Sequence, residues 1–208
     1  MAKWELDQFR GRHKGGKIVV CGCGSSLRGL SRPYDFITIG VNDSGRAFAP
    51  HYLLMCNTPK QFKGDRWQWV DRVKPGYTFI VRSHEAEYDQ SYLTSRHIVL
   101  YNLGTKGSVE SNGKSVLHYH NNSTYIACQL ALYMGANTVG IIGVDFTANH
   151  FWGETGSHGL YPQLESINRT YGQMQAHWAE KGVRFFNLSE QSFLEPIPKI
   201  SVEEFRSL

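Results

Sequence analysis

Residues 17–26 read Lys-Ile-Val-Val-Cys-Gly-Cys-Gly-Ser-Ser (KIVVCGCGSS), and this stretch decides the fold. A continuous β-branched run closed by small polar residues is the pattern of a strand buried on both faces, as in a parallel sheet. The glycines let backbone approach a ligand, and the backbone N–H groups opening the short helix expected over residues 27–30 favour phosphate. The loop is not a dinucleotide fingerprint, because the third glycine is missing. It is not a P-loop either, because no Gly-Lys-Ser/Thr follows. An ordinary tight turn and a phosphate or nucleoside contact both fit Gly22, Gly24, Ser25 and Ser26.

Working outward, the same pattern recurs at residues 36–42 (FITIGVN), 51–57 (HYLLMCN) and 138–146 (TVGIIGVDF). Residues 77–83 and 97–103 are weaker strands, and residues 183–189 are the last. Helical periodicity falls between them. Residues 123–134 space Ile126, Leu130 and Met134 along one face, with Asn122 or Ser123 as cap and Gly135 as stop. Residues 163–181 repeat Leu164, Ile167, Tyr171, Met174 and Trp178 at steps of three and four, closed by Gly182. Residues 65–73 predict a shorter helix. Strands alternating with helices imply an α/β domain with a mostly parallel sheet flanked by helices. The polar stretch 104–120 is expected to form a small lid, and the tail from Pro196 to pack over the surface.

The chain has 208 residues, 41% hydrophobic and 19% charged, which implies one globular domain over residues 1–208. No apolar run approaches the ~18 residues of a membrane helix. Residues 1–17 carry Glu5 and Asp7 and lack the apolar core of a secretory signal. Four cysteines in this length do not make a disulfide framework. A reduced, cytoplasmic setting without membrane attachment is the expectation. With 22 Lys and Arg against 18 Asp and Glu, the net charge of +4 permits a polyanionic partner without requiring one.

The polar residues follow the strands: Gly22 to Ser26, then Asn42 and Asp43, then Asn57 and Thr58, then Asp145 and Thr147. In a parallel sheet these loops share one edge, the carboxyl ends, where open α/β sheets bind ligands. Asparagine offers a donor and an acceptor, which suits a nucleobase or sugar hydroxyl, and it also caps turns. Asp145 suits magnesium or a ribose, and equally a capping role. His158, in a Gly-Ser-His-Gly loop, and His150, just after the strongest strand, are candidate general bases. His118-x-His120 matches no zinc spacing and reads as a pair of polar histidines on the surface. Lys60, Lys63, Arg66, Arg72 and Lys74 interleave with Trp67 and Trp69. This reads either as an amphipathic helix with its tryptophans inward or as a nucleic-acid-tracking surface.

Taken in order, residues 20–27 (VCGCGSSL), Gly40-Val41-Asn42, Cys56-Asn57-Thr58-Pro59, Asn122-Ser123 and Gly143-Val144-Asp145-Phe146 resemble the bacterial lipooligosaccharide sialyltransferases. They also resemble the related superfamily of flagellin-modifying, motility-associated proteins and archaeal hydroxymethylpterin diphosphokinases. The resemblance spans about residues 17–190. It implies a single Rossmann-like α/β domain with a lid, working without a metal. It also implies a nucleotide held by Gly24, Ser26, Asn42, Asn57 and Ser123, and His158 as catalytic base. Two departures bear on phosphate handling. The family's glycine loop reads Gly-x-Gly-Pro-Ser-Leu where this chain has Ser25. Its donor-contacting tyrosines after the Gly-x-Asp-Phe strand are replaced by Thr147, then Phe151 and Trp152. The resemblance also expects an arginine ahead of the central helix, where this chain has His120 or a neighbour. No membrane-associating C-terminal extension like the family's is expected, and a soluble acceptor is the expectation that follows.

The resulting expectation is a metal-independent, nucleotide-sugar-dependent glycosyltransferase acting on a hydroxyl. Its catalytic residues are His158 and Asp145. Its nucleotide site comprises Gly22, Gly24, Ser25, Ser26, Asn42, Asn57, Thr58, Asn122, Ser123 and Thr147. No cofactor is expected, the nucleotide-sugar serving as co-substrate. The acceptor suggested by charge is a nucleic acid, such as a hydroxylated base in viral DNA. A glycan or small molecule stays open. The alternatives are a diphosphokinase-like phosphotransferase, with Asp145 and Asp43 on magnesium, and a non-catalytic nucleotide-binding module.

Overall fold

The apolar runs become the strands of one sheet, and their order in it locates the ligand cleft. The computed structural model describes residues 3–109, 115–156 and 158–208. Its first elements are β1 (Trp4–Glu5), β2 (Lys17–Cys21), β3 (Ile37–Val41), β4 (Tyr52–Met55), α1 (Arg66–Arg72), β5 (Tyr77–Val81), α2 (Gln90–Thr94), β6 (Ile98–Lys106) and β7 (Val116–Tyr119). They are followed by α3 (Ser123–Tyr133), β8 (Thr138–Ile142), β9 (Asn149–His150), β10 (Gly153–Glu154), α4 (Leu164–Glu180), β11 (Arg184–Asn187) and α5 (Val202–Ser207).

Nine of the described strands form one sheet in the order β1-β6-β5-β4-β3-β2-β8-β11, with β7 attached to β6. Each of its pairings is parallel. The chain steps outward from β2 to β6, then returns through α3 to lay β8 on the other side of β2. The direction of winding therefore reverses between β2 and β8, and the crevice outside their carboxyl ends is where such sheets take ligands. This is a Rossmann-like α/β architecture with helices on both faces.

The packing explains the sequence patterns. Ile18, Val19, Val20 and Cys21 are all fully buried, because β2 lies mid-sheet with both faces covered. The α3 helix touches β2, β3, β4 and β7 and meets α4 through an edge-to-face contact of Tyr125 with Tyr171 at 5.4 Å. It is consequently buried nearly all round, which its uniformly apolar composition anticipates. The α4 stripe is the expected one: Ile167, Tyr171, Met174 and Trp178 are each fully buried. At the tail, Phe205 of α5 is buried against Phe36 and Phe186.

Where β2 and β8 end, their backbones nearly touch. A Cβ on Gly22 would stand 2.3 Å from the Gly143 carbonyl oxygen. Gly22→Ala is expected to destabilise the protein by about 1–3 kcal/mol, the usual range for overpacking. The shift of the urea midpoint measures it, and a midpoint equal to wild type would refute this account of the glycine.

Two expectations are corrected, and one element is new. Of the stretch 104–120 read as a lid, residues 104–106 extend β6 and Val116–Tyr119 form β7, while residues 110–114 lie outside the described residues. His118 and His120 are not on the surface: both are 7% exposed, and His118 Nδ1 accepts a hydrogen bond from Thr105 N at 2.8 Å. The β9–β10 hairpin, absent from the sequence reading, pairs Gly153 with His150 and Glu154 with Asn149.

Candidate functional site

At the switch between β2 and β8 lies a cleft of about 220 Å³. Of the expected site residues, Gly24, Asn42, Asn57, Asn122, Ser123, Asp145, Thr147 and His158 line it. They come from the ends of β2, β3, β4 and β8, the start of α3 and the loop before α4. Gly22, Ser25, Ser26 and Thr58 do not line it, and each has another role. Gly22 permits the β2–β8 contact. Thr58 is the N-cap of a 3₁₀ turn over Pro59–Gln61, with Thr58 N donating to Gln61 Oε1 at 2.8 Å.

Ser25 and Ser26 hold Asp145. Ser26 N donates to Asp145 Oδ2 at 2.8 Å, and Ser26 Oγ donates to Oδ1 at 2.6 Å. The same Ser26 Oγ accepts from Gly143 N at 2.8 Å, and Ser25 Oγ donates to Oδ2 at 3.4 Å. The glycine loop is thus wrapped around a carboxylate from the neighbouring strand. Gly24 is obligatory there, since a Cβ would stand 2.5 Å from Asp145 Oδ2. With both oxygens engaged and 1% exposure, Asp145 acts as a support of the cleft wall.

Asn122 caps α3, and its bonding fixes which way its amide faces. Its Oδ1 accepts from Tyr125 N at 2.9 Å, Thr124 Oγ1 at 2.5 Å and Tyr171 Oη at 2.9 Å. Three donors on one atom identify it as the oxygen, so Nδ2 is the remaining donor. That Nδ2 is buried and has no partner among the described residues, as are Asn42 Oδ1 and Thr147 Oγ1. These three unpaired polar atoms belong to cleft-lining residues from three separate elements. Leaving such a group unpaired typically costs about 1–3 kcal/mol. Two backbone outliers belong here: Asn42 itself at φ 51° and Phe146, next to Thr147, at φ 57°. A left-handed bulky residue is uncommon and concentrates at functional sites.

His150 and His158 face each other across the cleft mouth, rings 6.3 Å apart and nearly parallel at 25°. His150 is placed by the hairpin, which is tied to the glycine loop through a Gly24–His150 bridge and Phe151 N donating to Cys23 O at 3.1 Å. Its Nδ1 meets Thr155 Oγ1, and that hydroxyl donates to Ala148 O at 3.3 Å. His158 Nδ1 accepts from Leu160 N at 3.2 Å. Burial, then the Arg66 charge, lowers both imidazoles below the ordinary value of 6.5, opposed by Asp43 at His150 and by Asp145 at His158. Burial, with Asp43 beside it, pushes the Cys23 thiol well up, so it is no thiolate nucleophile.

The basic segment at residues 60–74 resolves differently from its patterned appearance. Val70 is fully buried, and Trp67 packs on Tyr92 at 5.0 Å. Arg66 turns into the cleft wall and donates to Asp43 from Nε (3.0 and 3.1 Å) and Nη2 (2.6 Å). Asp43 is fully buried. A lone strand-end Asp followed by an Arg on a later helix has no sequence signature, so Arg66 was legible only as part of a charged face. Magnesium on Asp43 and Asp145 does not fit, because guanidinium groups hold the first carboxylate and serines the second. Among the described residues no group of three or more His, Cys, Asp or Glu side chains stands together to hold a metal ion, and no helix is long and apolar enough to cross a membrane.

No family model matches the chain, and no curated protein does. Solved structures match its fold. The Maf glycosyltransferase from Magnetospirillum magneticum AMB-1 superposes with a TM-score of 0.61 at 12% identity over 98% of this chain. This chain spans 38% of that one. The sialyltransferase CST-II of Campylobacter jejuni, in complex with a trisaccharide acceptor and CMP, matches with a TM-score of 0.50 at 12% identity, covering 89% of this chain and 86% of its own. A single-residue variant of that enzyme, in complex with CMP, gives 0.51 at 10% identity over the same shares of the two chains. At these identities the likeness is one of fold, and the fold is the one the sequence motifs resemble.

Proposed function

We propose that this chain is a nucleotide-sugar-dependent glycosyltransferase acting on a hydroxyl acceptor and needing no metal ion. The observation that carries the reading is the clustering at the β2–β8 cleft, beside two histidines, of Asn42, Asn122 and Thr147, each with a buried polar atom that has no partner among the described residues. The glycosyltransferase and CMP-binding descriptions of the fold neighbours support it. In this reading Gly24, Asn42, Asn57, Asn122, Ser123 and Thr147 hold the nucleotide. Ser25, Ser26 and Asp145 brace the loop that Gly24 presents. The acceptor oxygen attacks the anomeric carbon, a histidine takes the hydroxyl proton, and the sugar–phosphate bond breaks with its electron pair leaving on the nucleotide.

His158 is the base the resemblance implies. A second assignment is favoured by the hydrogen bonds. With Leu160 N–H on Nδ1, the neutral His158 ring carries its hydrogen on Nε2 and donates from there. With Nδ1 donating to a Thr155 hydroxyl whose own hydrogen goes to Ala148 O, the neutral His150 ring leaves Nε2 as an acceptor. The acceptor class as a hydroxylated base in DNA rests on the charge of residues 60–74. Of these, Arg66 is paired with Asp43 and Lys60 lies 3.6 Å from Glu87, so a glycan or small-molecule hydroxyl meets the cleft as readily.

The test is a thermal-shift series with CMP, UDP, GDP, ADP and their sugar conjugates. A ligand present at about 100 times its Kd stabilises by about 2.7 kcal/mol. One nucleotide class is expected to raise the melting temperature by several degrees, and no shift with any of them overturns the reading.

A further inference from the structure

We propose that Arg66, braced by the buried Asp43, is the phosphate-binding cation of the cleft. The inference rests on the reading that the cleft takes a phosphorylated ligand, and it names the group that meets the phosphate.

Four observations lead there. First, Asp43 stands between two guanidinium groups, with Arg46 Nε at 3.2 Å and Arg66 Nη2 at 2.6 Å. Second, Arg46 is otherwise accounted for. It pairs with Asp65 at 2.8 Å and lies against Trp152 at 4.4 Å and Trp69 at 5.1 Å. Of the two guanidinium groups, Arg66 is the one that lines the cleft. Third, Asp43 takes Nε and Nη2 of Arg66 in a bidentate grip, so the plane of the guanidinium is fixed before a ligand arrives. A planar, oriented guanidinium is the side chain best matched to phosphate. Fourth, the other charged group of the cleft wall, Asp145, has both oxygens engaged by Ser25 and Ser26, and burial and the Arg66 charge disfavour the protonated form of both histidines. Arg66 is thus the cation this wall offers to an anion. A buried ion pair of this kind is seldom kept for stability alone, whereas orienting a guanidinium toward a ligand accounts for it.

The assignment also answers the departure in the sequence. Where the resembled family places tyrosines after the Gly-x-Asp-Phe strand, this chain has Thr147, Phe151 and Trp152. Trp152 instead stacks on His150 at 4.5 Å and approaches Arg66 at 5.7 Å. The phosphate-binding role passes from residues after β8 to the first residue of α1.

The test uses inorganic pyrophosphate as the anion and titration calorimetry on the whole chain. The variants are Arg66→Gln, Arg66→Lys and, as an exposed neighbour, Lys63→Gln. Wild type and Lys63→Gln are expected to bind alike. Arg66→Gln should bind about ten-fold more weakly or worse, as expected for loss of charge-assisted hydrogen bonds. Arg66→Lys should fall between them, because it keeps the charge and the fold while losing the fork. Arg66→Gln binding within two-fold of wild type, or no pyrophosphate binding by wild type at millimolar concentration, overturns the inference. A second arm compares CMP, UDP and GDP with their nucleosides. If nucleotides bind and Arg66→Gln leaves them unaffected, the Arg66 assignment falls and the nucleotide reading stands. If pyrophosphate binding depends on Arg66 while no nucleotide binds, the assignment stands and the nucleotide reading falls.

Discussion

On the assignment the resemblance implies, replacing His158 by alanine is expected to lower turnover by about 10²–10⁴-fold, the usual worth of a positioned general base, while nucleotide affinity stays within about two-fold. In the proposed reading the nucleotide is held at Asn42, Asn122 and Thr147, whereas His158 Nδ1 bonds Leu160 N. His150→Ala is the paired measurement. If turnover survives at His158→Ala and is lost at His150→Ala, the proton passes to His150, as its bond to Thr155 favours. If both variants keep turnover, neither histidine is the base. The pH profile is the independent readout. Burial and the Arg66 charge lower both rings, so the base stays unprotonated below the ordinary imidazole pKa of about 6.5. The acid limb of kcat/KM is therefore expected below pH 6.5, and a limb above it would contradict the assignment. The same sign holds for stability. A histidine whose folded pKa is depressed binds fewer protons folded than unfolded, so stability falls as pH drops through and below about 6.5.

Asp43→Ala is expected to destabilise the fold by about 3–5 kcal/mol, the cost of removing one partner from a buried ion pair. The Asp43 side chain is fully buried, while those of Arg46 and Arg66 are 10% and 31% exposed. Without the carboxylate, two guanidinium groups face each other at the end of β3. Arg46 keeps Asp65, and Arg66 is partly hydrated, so the lower end of the range is the better expectation. Asp43→Asn should cost less, because its amide oxygen still accepts from one arginine. The midpoint of urea unfolding measures both. A loss under about 1 kcal/mol for Asp43→Ala would mean that the guanidinium groups find other partners, and the bracing of Arg66 would lose its basis.

The residues behind these two effects were legible to very different degrees. The β2 to β8 strands and the α3 and α4 helices follow from local pattern, because burial on both faces demands continuous apolar runs and one-sided burial demands the 3.6-residue stripe. The strand-end polar groups follow too, since parallel strands place their carboxyl ends on one edge. Within that set, the distinction between Ser26, which bonds Asp145, and Asn42, whose Oδ1 has no partner among the described residues, is invisible in one dimension. Both are small polar residues after a strand. What separates them is the presence of a carboxylate 119 residues later in the chain.

The chain by itself determined the fold class, the sheet edge that carries the candidate cleft and many of the residues lining it, because these depend on hydrophobic periodicity and on strand direction. Tertiary structure alone decided three things: which of those residues face the cleft, that His150 stands beside His158, and that Arg66 leaves its basic segment to join Asp43. These are contacts between distant segments, and contacts of that kind are set by how elements cross and by where a buried charge finds its partner.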